Sequence, residues 1–556
     1  MKVKENTGFK ELSSEILEKL SLLGVNVLST ILGKERTTNL SQLGVPIDAT
    51  NLSNALLLHK GTGIFRDRMV RSALLNAAGR KKLEIAFDKK ITSLEDIEEL
   101  ARFTWNDNSK SRLFLSILGI NGDIYFGNRD LDNETLLDEI NASKPLHAYQ
   151  EWIRRKIISE LILSKNDRSI VHMPTGAGKT RVAMEAISDF FRSFSEQGGV
   201  VVWMAHSEEL CEQACESFAQ VWQRVGPSGA HLLRLWGGKT GELHADRHNL
   251  VVTSFQTAYG MVGTKSDIKF ELFAKIKQKV SLLIVDEAHQ SIAPTYKSAI
   301  ELFSNDRTKI LGLTATPGRH GVNDESVESE QLAKFYRNRK INIVSDHGED
   351  LENPIAYLRD KRVLSKYEVY SITGSSDISL SDDERAEMSK LLEVPQSVLK
   401  KLGSDHERTA QVAAAVLETS INRGLQTIVF CPTKNNAIDL ALFLRLKECP
   451  AAAITGDTPS SDRASLINDY KKNGVKVITN FGVLTAGFDA PNTQAVIIAR
   501  PTFSVVLFSQ MVGRGLRGPL MGGTDNCLIV NVEDNISNMP EVDDAFGFFN
   551  EFYGGT

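Results

Sequence analysis

Two groups of residues, far apart in the chain, have the types and spacing to hold and cut a nucleoside triphosphate. The first is Met173-Pro-Thr-Gly-Ala-Gly-Lys-Thr180. Pro174, Thr175 and Ala177 carry the backbone past Gly176 and Gly178, whose freedom lets successive N–H groups close around phosphate oxygens. Lys179 offsets charge on the outer phosphates, and Thr180 offers a hydroxyl to Mg²⁺. About a hundred residues later, Asp286 and Glu287 follow an apolar run directly. Asp286 would hold Mg²⁺ through water, and Glu287 would orient and deprotonate the attacking water. The second group is Gln510-Met-Val-Gly-Arg-Gly-Leu-Arg517, where Arg514 and Arg517, at i,i+3 on an expected helix, can both face a γ-phosphate bound elsewhere. A pair of solvated surface arginines is the plainer reading, and Gln510 with Gly513 argues against it. A triphosphate shared by two separately folded lobes would turn hydrolysis into movement.

The elements that must position these residues are legible as short apolar runs, each followed by turn residues and a helical pattern. Ile170–Met173, Val200–Met204, Leu250–Val252, Leu282–Val285 and Ile310–Leu313 form one series. Thr427–Phe430, Val475–Ile478, Ala495–Ile498 and Cys527–Val530 form a second. Uninterrupted apolar runs suit parallel strands covered on both faces, so the chain is expected to be α/β, with two tandem doubly wound domains. Their ligand sites would lie at the carboxyl ends of the strands.

The expected divisions are a mainly helical region 1–140, a first α/β domain 141–325, a connecting segment 326–409, a second α/β domain 410–535 and a tail 536–556. In the helical region, Phe9–Leu23 and Leu56–Leu75 show helical spacing, and Ser93-Leu-Glu-Asp96 has a capping-box pattern. Lys60–Lys90 is basic through Arg66, Arg68, Arg71, Arg80, Lys81, Lys82 and Lys89, which reads either as a solvated helix face or as a phosphate- or partner-contacting surface. Asn323–Glu330 reads as a loop and Ser375–Glu387 as a linker entering a helix. The tail sets Glu541, Asp543 and Asp544 before Phe546, Phe548, Phe549, Phe552 and Tyr553, and would dock on the motor or on a protein partner.

The 556 residues exceed what one core organises, and 42% hydrophobic with 24% charged residues is ordinary for a globular protein. No apolar run is long enough to span a membrane, and the start of the chain has no signal-peptide core, so a cytoplasmic protein with no membrane partner is expected. Five cysteines without a Cys-x-x-Cys pair argue against a zinc ribbon or disulfide framework. A net charge of -5 supplies no global pull toward nucleic acid, so any such binding must use local basic surface.

Taken together, these motifs resemble the superfamily 2 helicases with an Asp-Glu-Ala-His box, over about residues 146–532. Met173 stands where the strict phosphate loop has glycine, as in the helicase variant. The resemblance implies RecA-like folds, ATP with Mg²⁺, and a nucleic-acid track. It assigns Tyr149 and Gln150 to adenine reading, and His289, Thr314 and Thr316 to coupling the ATP site to the track. Ala205-His-Ser-Glu-Glu-Leu210 and Thr253-Ser-Phe-Gln-Thr257 match strand-gripping elements, which places His206, Thr253 and Ser254 on nucleic acid. Cys431-Pro-Thr433 and Thr455-Gly-Asp457 similarly place Thr433 and Thr455. Thr485-Ala-Gly-Phe-Asp-Ala-Pro491 assigns Thr485 to backbone contact and Gly487 with Asp489 to the ATP-facing side.

Ile454–Pro459, Val483–Pro491 and Met511–Arg517 further resemble RadD-type bacterial DNA-repair helicases, in a branch that includes excision-repair and restriction-enzyme motor subunits. DNA is therefore expected ahead of RNA, in repair or in defence against foreign DNA. Two departures stand out: about forty residues follow Arg517, so that group's cysteine-rich module is not expected, and the resemblance does not extend to the helical region 1–140. An RNA helicase and an ATP-gated nucleic-acid sensor or scaffold are the rival readings.

Overall fold

Strands buried on both faces can be built only from apolar runs, and the runs read from the sequence become the centres of two sheets. The computed structural model describes residues 7–122, 125, 134–137, 145–193, 199–226, 229–263, 267–316, 327–374, 381, 383–384, 394–484 and 490–534. The first sheet contains β1 (Glu134–Leu137), β2 (Arg168–His172), β3 (Val200–Ala205), β4 (Ala230–Leu235), β5 (His248–Ser254), β6 (Val280–Asp286), β7 (Lys309–Thr314) and β8 (Lys340–Ile341). Their order is β1-β4-β5-β3-β6-β7-β2-β8, with only β1 antiparallel to its neighbour. The second contains β9 (Lys366–Thr373), β10 (Thr427–Phe430), β11 (Ala451–Thr455), β12 (Val477–Phe481), β13 (Ala495–Ile498) and β14 (Asn526–Glu533), in the parallel order β11-β12-β10-β13-β14-β9. Helices cover both faces of each sheet, and apolar clusters fill the space between. These are two RecA-like α/β lobes.

Register fixes the site. His172 pairs with Thr314 and Asp286 with Leu313, so the carboxyl ends of β2, β7 and β6 finish at one level. The phosphate-loop sequence leaves from β2 and the two acids from β6, which brings residues a hundred positions apart to the same edge.

The segment between the apolar series is not merely connecting: β8 joins the first sheet and β9 the second. Asn323–Glu330 is also not all loop, because the helix Val327–Phe335 begins within it. Most of Ser375–Glu387 and the whole acidic, aromatic tail lie outside the described residues.

The amino-terminal part is a helical module with its own core, running from Ile16 to Ile120. One helix was expected over Leu56–Leu75. The chain instead forms Ala49–Lys60, a tight turn over Gly61–Arg66, and Arg68–Ala78. Gly61 ends the first helix at φ +57°, a backbone conformation other residues rarely adopt. The capping box at Ser93 is present, with Asp96 N–H donating to the Ser93 hydroxyl and Ser93 N–H to the Asp96 carboxylate. The basic run divides. Arg71 is buried and donates to the carbonyls of Phe65, Arg66, Ala101 and Phe103, so it holds the module together. Arg68 and Lys89 pair with Glu98 and Glu99. Arg80, Lys81 and Lys82 remain exposed.

This module sits on the second lobe. Helices Lys34–Gln42 and Ala49–Lys60 pack on Lys434–Leu446, and Leu442 of that helix belongs to the module's core. All five cysteines are buried with free thiols. Among the described residues no helix is long and apolar enough to cross a membrane.

Candidate active site

Leaving β2, the chain turns tightly. Met173 N–H donates to Thr314 O at 3.0 Å, and Ala177 N–H donates back to Pro174 O at 3.1 Å. Gly176 and Gly178 stand at φ +89° and +87°, positions that turn backbone N–H groups inward. The helix Lys179–Ser193 starts at the end of this loop, so its positive end faces whatever the loop encloses. Lys179 is half-buried, and its ammonium donates to Met173 O at 3.1 Å. Burial lowers its pKa, while Glu287 and Asp286 favour its charged form.

Tyr149 and Gln150 brace this loop. The Tyr149 hydroxyl and the Gln150 side-chain amide both donate to Ala177 O, at 2.8 and 3.0 Å, and Gln150 Oε1 accepts from His147 N–H at 3.0 Å.

At the end of β6, Glu287 adopts φ +49°, a left-handed conformation uncommon for a residue with a side chain and typical of functional sites. Its N–H donates to Asp286 Oδ1 at 3.0 Å. Both carboxylates are buried. Burial and the neighbouring Glu287 push the Asp286 carboxyl well above its usual range. Burial acts on Glu287 in the same direction, but Lys179 first, then His289, Arg514 and His206, overcome it and hold Glu287 ionised. Glu287 Oε2 makes no hydrogen bond, and His289 Nδ1 lies 3.4 Å from it. His289 also approaches the Thr314 hydroxyl at 3.4 Å. That hydroxyl donates to Thr316 O at 2.8 Å and accepts from Thr316 N–H at 3.0 Å. A buried chain thus runs from Glu287 through His289 to the segment after β7.

The other lobe completes the cleft. Helix Val505–Val512 carries Gln510 and stops before Arg514, so the expected helical placement of both arginines is corrected. Glycines at 513 and 515 weaken helix continuation, and the backbone packs too closely for it. A Cβ on Gly513 would lie 2.7 Å from Thr175 Cβ of the phosphate loop. Arg514 lies in a turn, and Arg517 forms an antiparallel bridge with Leu364. Even so, both arginines face the expected partner. They line, with Lys471, a cleft of about 290 Å³ whose other wall carries Lys179, Thr180, Asp286 and Glu287.

The residues expected on a nucleic-acid track have more local roles here. Thr253 donates to Leu235 O at 2.9 Å, and Ser254 accepts from Thr257 N–H at 3.2 Å. Thr433 caps the helix Lys434–Leu446, and Thr455 accepts from Asp457 N–H. His206 lies within the field of Glu287, with burial holding its imidazole below its ordinary value. Thr485, Gly487 and Asp489 lie outside the described residues. Sequence reasoning missed Lys471, which closes the polar helix Ser460–Lys471 before an Asn-Gly turn and carries no local mark of function.

The description "Type III restriction enzyme, res subunit" matches residues 143–319, and "Helicase conserved C-terminal domain" matches residues 409–518. The chain belongs to the superfamily 2 helicases. It is 31% identical over 402 residues to "Putative mitochondrial ATP-dependent helicase irc3" of Schizosaccharomyces pombe, covering 70% of this chain and 58% of that one. It is 27% identical over 244 residues to "ATP-dependent DNA helicase fml1" of the same yeast, covering 42% of this chain and 28% of that one. The chain therefore spans less than two thirds of the length of these relatives. The solved structure of the ATP-dependent Type ISP restriction-modification enzyme LlaBIII bound to DNA is 15% identical, with 74% of this chain and 30% of that chain covered and a TM-score of 0.47.

Proposed function

We propose that this superfamily 2 chain is a nucleic-acid-dependent ATPase that translocates on or remodels DNA. The observation that carries it is the single cleft where Lys179, Thr180, Asp286 and Glu287 of one lobe face Arg514 and Arg517 of the other. The residues fit the group they would hold. Two left-handed glycines make the cradle, a half-buried lysine supplies charge, and a buried carboxylate oxygen without a hydrogen bond stands ready for water. ATP supplies the bond to be cut, and Mg²⁺, held by Thr180 and Asp286, would draw charge from its outer phosphates.

Pro174 to Gly178 wrap the phosphates, and Tyr149 and Gln150 keep the loop in shape and read adenine. Glu287 takes the proton of the attacking water, and Arg514 and Arg517 meet charge developing on the outer phosphate, with Gln510 supporting their turn. His289, Thr314 and Thr316 pass the state of Glu287 to the strand-binding side. There His206, Thr253, Ser254, Thr433 and Thr455 belong to elements whose turns and caps present backbone N–H groups to a sugar-phosphate chain. DNA is favoured by the relative named a DNA helicase, and repair or defence against foreign DNA is the process proposed.

The test is ATP turnover with single-stranded DNA, duplex DNA and RNA of equal length. DNA is expected to raise the rate by roughly tenfold or more through ordering both lobes, and Lys179→Ala should abolish turnover. Stimulation by RNA alone would overturn the choice of DNA. Turnover indifferent to every nucleic acid, with ATP-dependent protein assembly instead, would favour a sensor or scaffold.

A further inference from the structure

The helical module grips the second lobe at one residue with unusual care. Asp462 lies in the first turn of helix Ser460–Lys471 and is buried. Its carboxylate accepts the Thr62 N–H and the Thr62 hydroxyl, each at 2.5 Å. The turn bearing Thr62 is shaped for this approach: a Cβ on Gly61 would collide with the Asp462 carboxylate, and one on Gly63 would lie 3.1 Å from Pro459. On its other side the Thr62 carbonyl accepts the Tyr125 hydroxyl at 2.6 Å, and Tyr125 packs on Phe65 and Trp105.

The gripped helix reaches the nucleotide cleft. Arg463, the next residue, forms an ion pair with Glu209, on the first-lobe helix Glu208–Val225. At the far end Lys471 lines the cleft opposite Gln213 and Glu216 of that same first-lobe helix. One rigid element of about 18 Å therefore meets the module at its start and the other lobe along its length. Neither Asp462 nor Thr62 touches the cleft. We propose that Asp462, held by Thr62, is a positioning residue for ATP hydrolysis: the module sets helix Ser460–Lys471 so that Arg463 and Lys471 meet the first lobe when the cleft is assembled. This rests on the ATPase reading above.

The test uses the full chain. Thr62→Val keeps the shape and loses the hydroxyl, Thr62→Ser keeps the hydroxyl, and Asp462→Asn keeps the shape and loses the charge. With saturating single-stranded DNA, Thr62→Val and Asp462→Asn should lower kcat roughly five- to tenfold with KM for ATP within about twofold, because the phosphate loop lies in the other lobe. Thr62→Ser should stay close to the parent. A parent-like kcat in folded Thr62→Val, equal impairment of the Val and Ser variants, or loss of kcat only in step with loss of folded protein would each overturn the proposal. Amide exchange across residues 460–471 reads the clamp without turnover. Faster exchange in Thr62→Val is expected, and unchanged exchange also overturns it. A parent without nucleic-acid-stimulated turnover would instead count against the ATPase reading.

Discussion

At the scale of single residues, the chemistry depends on an ionised Glu287 beside a buried Asp286. Lys179 and the cations around Glu287 hold it ionised, while burial and that same charge drive Asp286 the other way. A general base needs the first condition, and a cation bound at Asp286 would favour its charged form. Glu287→Gln preserves shape and removes basicity. Its turnover should fall roughly 10²–10³-fold, with ATP affinity within a few-fold of the parent, as measured by single-turnover hydrolysis beside equilibrium binding. A rate within threefold of the parent would remove Glu287 from the chemistry. Such residues were legible in the sequence because their tasks require contiguous, stereotyped backbone. Lys471 was not, since its role comes only from where its helix ends in space.

At the scale of elements, the junction between the lobes is a glycine packed on a threonine. Thr175 occupies the place a Cβ on Gly513 would take, with Ser509 O a further 2.9 Å contact. Gly513→Ala should push the arginine turn off the phosphate loop, lowering kcat at least tenfold while leaving ATP binding nearly intact. Steady-state kinetics separate these outcomes, and an unaffected kcat would mean that the turn tolerates displacement. The same scale shows which elements sequence reasoning could reach. Every apolar run named from the sequence became a strand. β9 was missed because it is a largely exposed edge strand with polar residues at Lys366, Glu368 and Ser371. The helix expected over Arg514 failed because spacing alone does not register the cost of flanking glycines.

At the scale of the whole molecule, the helical module and the second lobe share a partly charged interface. Arg36 and Asp439 are buried there 3.6 Å apart, and burial pushes each toward its neutral form, carrying the Asp439 carboxyl up to about 6. Such a pair fixes register more than it adds stability. His59 lies in the same interface. Burial first, then Arg36, Lys434 and Lys60, hold its imidazole down to about 4. An unfolded histidine titrates near ~6.5, so its contribution is fully present above that pH and is lost as pH falls toward 4. Asp439 has the opposite sense, its contribution being lost as pH rises through about 6. Comparison with His59→Gln isolates the histidine: on acidification from about pH 7 to about pH 5, the parent's Tm should fall roughly 2–5 °C further than the variant's. Parallel curves would remove His59 from the interface's pH response.

The seating of that module also sets a timetable for synthesis. Helix Ala49–Lys60 finds its cover on helix Lys434–Leu446, and Leu442 completes a core begun at Ile16. A ribosome adding ~5–20 residues per second needs roughly 20–80 s to travel from Lys60 to Leu446. Throughout that interval the newborn module holds an apolar face with nothing to close it, while an entire α/β lobe folds in between. Until its last third emerges, the nascent chain therefore carries that face open to solvent.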